Sequence, residues 1–221
     1  MPPFIAMPLA RARLDVSTAG TFVGALHFAS QATNTTVNGV TFTGIDPGLF
    51  TANTITSGNF TLATPNPANH FGADSTFFPV PPFSNLSASY QSLLKGHLQI
   101  NNTPPTMTLT MNNLVAGATY QFEWWNSDSS GNLTTTATSG NAVSLQTNPT
   151  FAPGGLGQYA IGTFLADATT SQAITFAGNT PEVLNGFQLR KTADPTVPEP
   201  GTALFGLALL APALTRRARR V

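Results

Sequence analysis

Apolar and polar residues alternate along this chain in short runs, each closed by Gly, Pro, Asn or Asp. Met107, Leu109 and Met111 interleave with Thr106, Thr108 and Thr110, and Tyr120, Phe122 and Trp124 interleave with Gln121, Glu123 and Trp125. A period of two places successive side chains on opposite faces of a strand, so these runs predict strands with one packed and one wet face. The same reading predicts strands over 21–30, 35–45, 59–63, 106–112, 119–125, 133–138, 142–146, 158–166, 171–177 and 183–190. One patch departs from it. Tyr90, Leu93 and Leu94 follow i, i+3, i+4 spacing, with Asn85 or Ser87 available as N-cap and Gly96 as a stop, which predicts a short helix. Many short strands with turn residues between them suggest an all-β fold, a two-sheet antiparallel sandwich of jelly-roll type.

Composition agrees with strands and turns. The chain has 221 residues, of which 8% are charged, against roughly 25% in an ordinary soluble protein. That excludes a coiled coil or a charged helical bundle, and sixteen Phe argue against a disordered chain. The formal net charge of zero hides an asymmetry. Residues 14–196 hold three cations, Lys95, Arg190 and Lys191, against eight acids, a net of −5, while Arg216, Arg217, Arg219 and Arg220 crowd the end. A mildly acidic body without a basic cluster excludes a nucleic-acid groove. The absence of Cys removes disulfides, thiolate metal sites and Cys nucleophiles together.

The tail has three ordered parts. A short polar linker leads to Pro198-Glu199-Pro200, an uncharged Leu-, Ala- and Gly-rich run over 201–214 follows, and the four arginines close the chain. Two prolines keep the tripeptide extended and open to an enzyme. Residues 202–214 as a helix cover roughly 20 Å, short of the ~30 Å hydrocarbon core, so flanking residues and snorkelling arginine stems are needed to span it. The arginines then act as a membrane stop and hold the C-terminus on the cytoplasmic side. With Val197 before it, this arrangement resembles the PEP-CTERM sorting signal of Gram-negative bacteria. The resemblance implies a membrane-embedded exosortase as partner, cleavage near Pro198, Glu199 and Pro200, and release or attachment of the body at the cell surface.

Further residues resemble a recurrent domain of PEP-CTERM proteins from planctomycete and verrucomicrobial bacteria. They are Tyr90 with Leu93-Leu94, Asn113-Leu114-Val115-Ala116-Gly117 before Tyr120, Gly154-Gly155-Leu156-Gly157-Gln158-Tyr159, Ile161-Gly162-Thr163-Phe164, and Leu184-Asn185-Gly186-Phe187-Gln188-Leu189-Arg190. Asp15-Val16-Ser17-Thr18 and Val37-Asn38-Gly39-Val40-Thr41-Phe42 extend the likeness toward the start. It implies a galactose-binding-like jelly roll and assigns no activity. The expected organisation is a degenerate or truncated leader over 1–14, the sandwich over 15–193, a linker over 194–200, and a hydrophobic helix with its basic tail over 201–221. The leader reading rests on an apolar run over 4–9 that Pro8 breaks and no basic residue precedes.

Catalytic chemistry is poorly represented. His27, His70 and His97 are scattered, and no nucleophile elbow or phosphate loop occurs. His27, between Leu26 and Phe28, reads as a solvent-face histidine rather than a ligand. A glycosidase pair would have to come from Asp46, Asp74, Glu123, Asp128 or Asp167. Asn126-Ser127-Asp128-Ser129-Ser130-Gly131 begins like a calcium loop, but position 137, where a bidentate Glu is required, is Ala137, so a polar turn is the expectation. Trp125, on the outer face of its strand with Asn126 and Asp128 beside it, is the best candidate for a sugar-stacking platform if the body binds carbohydrate, but a Trp covered by a neighbouring loop is the favoured reading. The expected function is that of an exported, non-enzymatic sandwich with a structural or adhesive role, without cofactor or metal, at the cell surface or in extracellular polysaccharide. A carbohydrate-binding module and a secreted hydrolase are the alternatives.

Overall fold

Each of the ten runs expected to be extended contains strand in the computed structural model, which describes residues 5–7, 16–29, 31–46, 53–65, 70–74, 80–100, 105–128, 131–178 and 182–195. In chain order the strands are β1 (Ile5–Met7), β2 (Thr21–Phe28), β3 (Thr35–Val37), β4 (Val40–Ile45), β5 (Thr54–Ser57), β6 (Phe60–Ala63), β7 (His70–Asp74) and β8 (Gly96–Ile100). They continue as β9 (Thr106–Met111), β10 (Thr119–Asn126), β11 (Thr134–Ser139), β12 (Asn141–Gln146), β13 (Gln158–Leu165), β14 (Gln172–Gly178), β15 (Glu182–Leu184) and β16 (Gly186–Ala193). Among the described residues one α-helix, α1 (Ala88–Lys95), precedes β8. The tail over 196–221, with its expected helix, lies outside the described residues.

Two sheets face each other. One runs β1-β13-β10-β16-β2-β4-β3, the other β12-β11-β14-β9-β6-β5, and a small sheet β15-β8-β7, hydrogen-bonded to neither, adds Leu98 and Leu184 to the core between them. From β9 onward the chain repeatedly changes sheet: β9 to β10, β10 to β11, β12 to β13 and β13 to β14. Between the two large sheets the alternating residues meet as expected. Tyr120, Phe122 and Trp124 of β10 with Phe187 and Leu189 of β16 pack against Met107, Leu109, Met111, Ile174 and Phe176 opposite. Trp124 meets Phe176 edge to face at 5.2 Å between centroids, and Phe60 meets Phe187 the same way at 5.1 Å. Such pairs add about 1 kcal/mol each to their burial.

Several expectations are corrected by the backbone. The run 35–45 is a hairpin, because Asn38 and Gly39 take φ of +49° and +78° and turn the chain in two residues. The run 183–190 is interrupted at Asn185, where the chain leaves the small sheet and enters the large one. β5, β7 and β8 were not foreseen. β1, inside the stretch read as a leader, pairs antiparallel with β13 as an edge strand. The sandwich is also not wholly antiparallel, since β2 and β4 run parallel at Leu26, His27 and Phe28.

The wet face expected on β10 is covered at Glu123 and Trp125 and half-buried at Gln121. A second apolar cluster covers it, built from Val37, Val40 and Phe42 of the hairpin, Tyr90, Leu93 and Leu94 of α1, and Trp125 and Tyr159 of the sheet. α1 begins as its sequence predicts, with the Ser87 hydroxyl accepting from the Tyr90 amide. Its stop differs from a left-handed cap. Gly96 has φ −79° and passes straight into β8, where a Cβ would lie 1.6 Å from the Phe28 carbonyl oxygen. Glycine is required there by close approach of two backbones.

Candidate functional site

Trp125 sits at the centre of that second layer and is 0% exposed. Its indole N–H donates to the Tyr90 hydroxyl at 3.0 Å, and the Phe42 ring meets it edge-on at 5.5 Å. It therefore cannot serve as a stacking platform: α1 and the hairpin occupy the face a sugar would need. Asn126 and Asp128 are also buried. The Asn126 side-chain amide donates to the Leu145 carbonyl, and the backbone N–H of Asp128 donates to the Thr147 carbonyl, bonds that join the end of β10 to the end of β12.

What holds this region is Asn185, which sequence reasoning took only as part of a resemblance. Its side-chain oxygen accepts from the Ser127 amide at 2.5 Å. Its side-chain nitrogen donates to the carbonyls of Leu94, Gly96 and Ser127 at 2.7, 3.0 and 2.9 Å. One buried amide thus fastens the end of α1, the start of β8 and the segment after β10 to the kink before β16.

The remaining expected groups do not converge. His27 is buried rather than on a solvent face, because the segment after β2 folds back and the Thr33 carbonyl accepts from His27 Nε2 at 2.9 Å. Desolvation holds its pKa below the usual histidine value, with the Thr33 bond opposing. His97 is buried with Nε2 3.3 Å from the Gln99 side-chain oxygen. Glu123 is buried, its Oε2 accepting from the Gln188 side chain at 2.5 Å and from the Ser17 amide at 3.1 Å. Asp167 lies in an exposed turn, where bonds from the Thr169 hydroxyl and amide lower its pKa. The side chains of His70 and Asp74, and residues 129–130, lie outside the described residues. Among those described, no group of three His, Cys, Asp or Glu is placed to hold a metal ion, and no helix is long and apolar enough to cross a membrane.

Among the described residues, two surface clefts bear on these elements. One, of about 400 Å³, lies between α1 and the segment after β2 and is lined by Gln31, Thr33, Gln91, Ser92 and Lys95 among others. The second, of about 430 Å³, is lined by Thr18, Phe22, Gly39, Val40, Thr41 and Arg190. It lies where the Asn38-Gly39 turn faces segment 16–20. Arg190 projects from β16 and is 8% exposed. Its Nε donates to the Ala19 carbonyl at 2.8 Å, and its Nη2 donates to those of Thr18 and Gly20 at 3.0 and 2.9 Å. The guanidinium carbon stands 5.7 Å from the centroid of the Phe22 ring, a cation–π contact on an aromatic that is 46% exposed.

Phe151 is the most exposed aromatic described, at 73%, with φ of +54° in a turn closed by its own amide bonding to the Asn148 carbonyl. Neither Phe22 nor Phe151 was legible as a surface aromatic. Phe22 lies at a register shift beside Leu189/Arg190 that alternation does not reveal.

Pro198, Glu199 and Pro200, and Arg216, Arg217, Arg219 and Arg220, lie outside the described residues. Comparisons with known protein families, with curated proteins and with solved structures find no match to this chain.

Proposed function

We propose that this protein is an exported, non-enzymatic β-sandwich that an exosortase sorts to the cell surface or extracellular polysaccharide, where it has a structural or adhesive role. The observation that carries this reading is the order of the tail: Pro198-Glu199-Pro200, then an uncharged run, then Arg216, Arg217, Arg219 and Arg220. An apolar segment followed by cations pauses in the bilayer with its C-terminus inside, which presents the tripeptide to a protease at the outer surface.

The position of the body's last strand supports it. β16 lies between β10 and β2 and ends at Ala193, and Lys191 pairs with Asp194 just beyond. A cut near Pro198 falls beyond β16, so every described strand and core residue stays with the body. The cysteine-free strand core suits an exported domain, since its cohesion does not depend on thiol redox state.

The test is the intact mass of the mature protein from its native host, compared with a Glu199→Ala, Pro200→Ala variant. Processing predicts a mature form lacking the segment after Pro200, and a variant retained in the membrane fraction with its tail. A wild-type protein recovered from the cytosol still carrying Val221 would overturn the proposal.

A further inference from the structure

We propose that the cleft between Arg190 and the Asn38-Gly39 hairpin binds the carboxylated sugar residue of an acidic polysaccharide. The site belongs to the body alone and stands or falls independently of tail processing.

Arg190 is the first observation. A guanidinium this deeply placed ordinarily has a carboxylate partner, because an uncompensated buried charge is costly. Among the described residues Arg190 makes no ion pair; three backbone carbonyls satisfy Nε and Nη2, and Nη1 has no protein partner. Those carbonyls fix the guanidinium plane, so its remaining N–H groups are held in place before any ligand arrives. An acceptor anion on that edge would complete the arginine's bonds, and a planar carboxylate suits the fork.

The cleft's other walls define what carries the carboxylate. Phe22 offers an exposed aromatic surface above the buried Val40, Thr18 and Thr41 bring hydroxyls, that of Thr41 also lying 3.0 Å from the Thr36 hydroxyl, and Gly39 leaves the turn without a side chain. A ligand matched to all of these has one anionic group, an apolar ring face and several hydroxyls, which is the chemistry of a hexuronic acid residue. The body's net charge of −5 disfavours a densely charged polyanion such as nucleic acid, so the fitting partner carries its carboxylates among neutral sugars. A volume of about 430 Å³ is within the range of small-molecule sites.

The experiment is a calorimetric and NMR titration of the full chain in detergent with a xylan oligosaccharide bearing one glucuronate, its neutral counterpart, and inorganic phosphate. The expected result is saturable binding of the acidic oligosaccharide about 10-fold tighter than the neutral one, with shifts at Phe22, Thr41 and Arg190. Phe22→Ala is expected to weaken it about fivefold, through loss of ring stacking. Arg190→Gln is expected to abolish the preference for the acid. Because that change also releases segment 16–20, Thr41→Val serves as a second variant that leaves the arginine's bonds intact, and weaker binding is expected. Equal affinity for acidic and neutral oligosaccharides, phosphate binding as tightly as the uronate, insensitivity to Phe22→Ala, or no saturable binding would each overturn the assignment.

Discussion

Trp125 and Tyr90, 35 residues apart, are joined by a 3.0 Å hydrogen bond from indole nitrogen to phenol oxygen inside the layer that covers the outer face of the larger sheet. The bond satisfies the indole donor inside a buried layer. It also fixes α1 over β10, so that what looks in sequence like an exposed aromatic is an anchor.

Replacing Trp125 by Ala is therefore expected to destabilise the protein by about 3–5 kcal/mol through lost burial and a residual cavity. Tyr90→Phe, which keeps the ring and strands the indole donor, is expected to cost about 1–3 kcal/mol. Urea denaturation of both variants checks the order, and comparable losses would show that the phenol oxygen matters more than the packing.

Asn185→Ala removes four hydrogen bonds at once and leaves the Ser127 amide and three carbonyls to find new partners. The expected cost is about 2–4 kcal/mol. Amide exchange should accelerate first at Ser127 and at the α1–β8 junction, which hydrogen-exchange mass spectrometry resolves; uniform acceleration across both large sheets would contradict a local clamp.

The glycines at 96 and 39 should respond differently to alanine. At Gly96 a Cβ meets the Phe28 carbonyl oxygen at 1.6 Å, so β2 and β8 must separate. At Gly39 nothing lies within 4 Å and only the φ of +78° is strained. Gly39→Ala is expected to cost about 1–2 kcal/mol, and Gly96→Ala clearly more, as read from paired thermal melts.

His27 gives stability a pH dependence. Its pKa in the folded protein is lowered from 6.5 by desolvation, so the unfolded chain binds the proton more readily. Stability is then fully present above the unfolded value and declines as pH falls through it toward the folded value. The wild type should lose more stability than His27→Gln between pH 7 and pH 5, measured as the difference in denaturation midpoints; parallel profiles would remove His27 as the cause.

The hydrophobic alternation, the turn residues and the cap at Ser87 were enough to read most strands, the helix and the sandwich, because each is a local preference of backbone and side chain. The Asn38-Gly39 hairpin was equally local and could have been read from its dipeptide. β7 and β8 were less accessible, since strands with mixed patterns are stabilised by partners far along the chain.

The tail's order of tripeptide, apolar run and arginines is read from the sequence by itself, since it is a matter of composition and chain direction. Tertiary structure alone decided what covers Trp125, why Asn185 stands at its kink, and where Arg190 points. The physical reason is separation: the carbonyls that fix Arg190 lie 170 to 172 residues away. Alternation tells a residue which face of the strand it occupies, but only folding determines what that face meets.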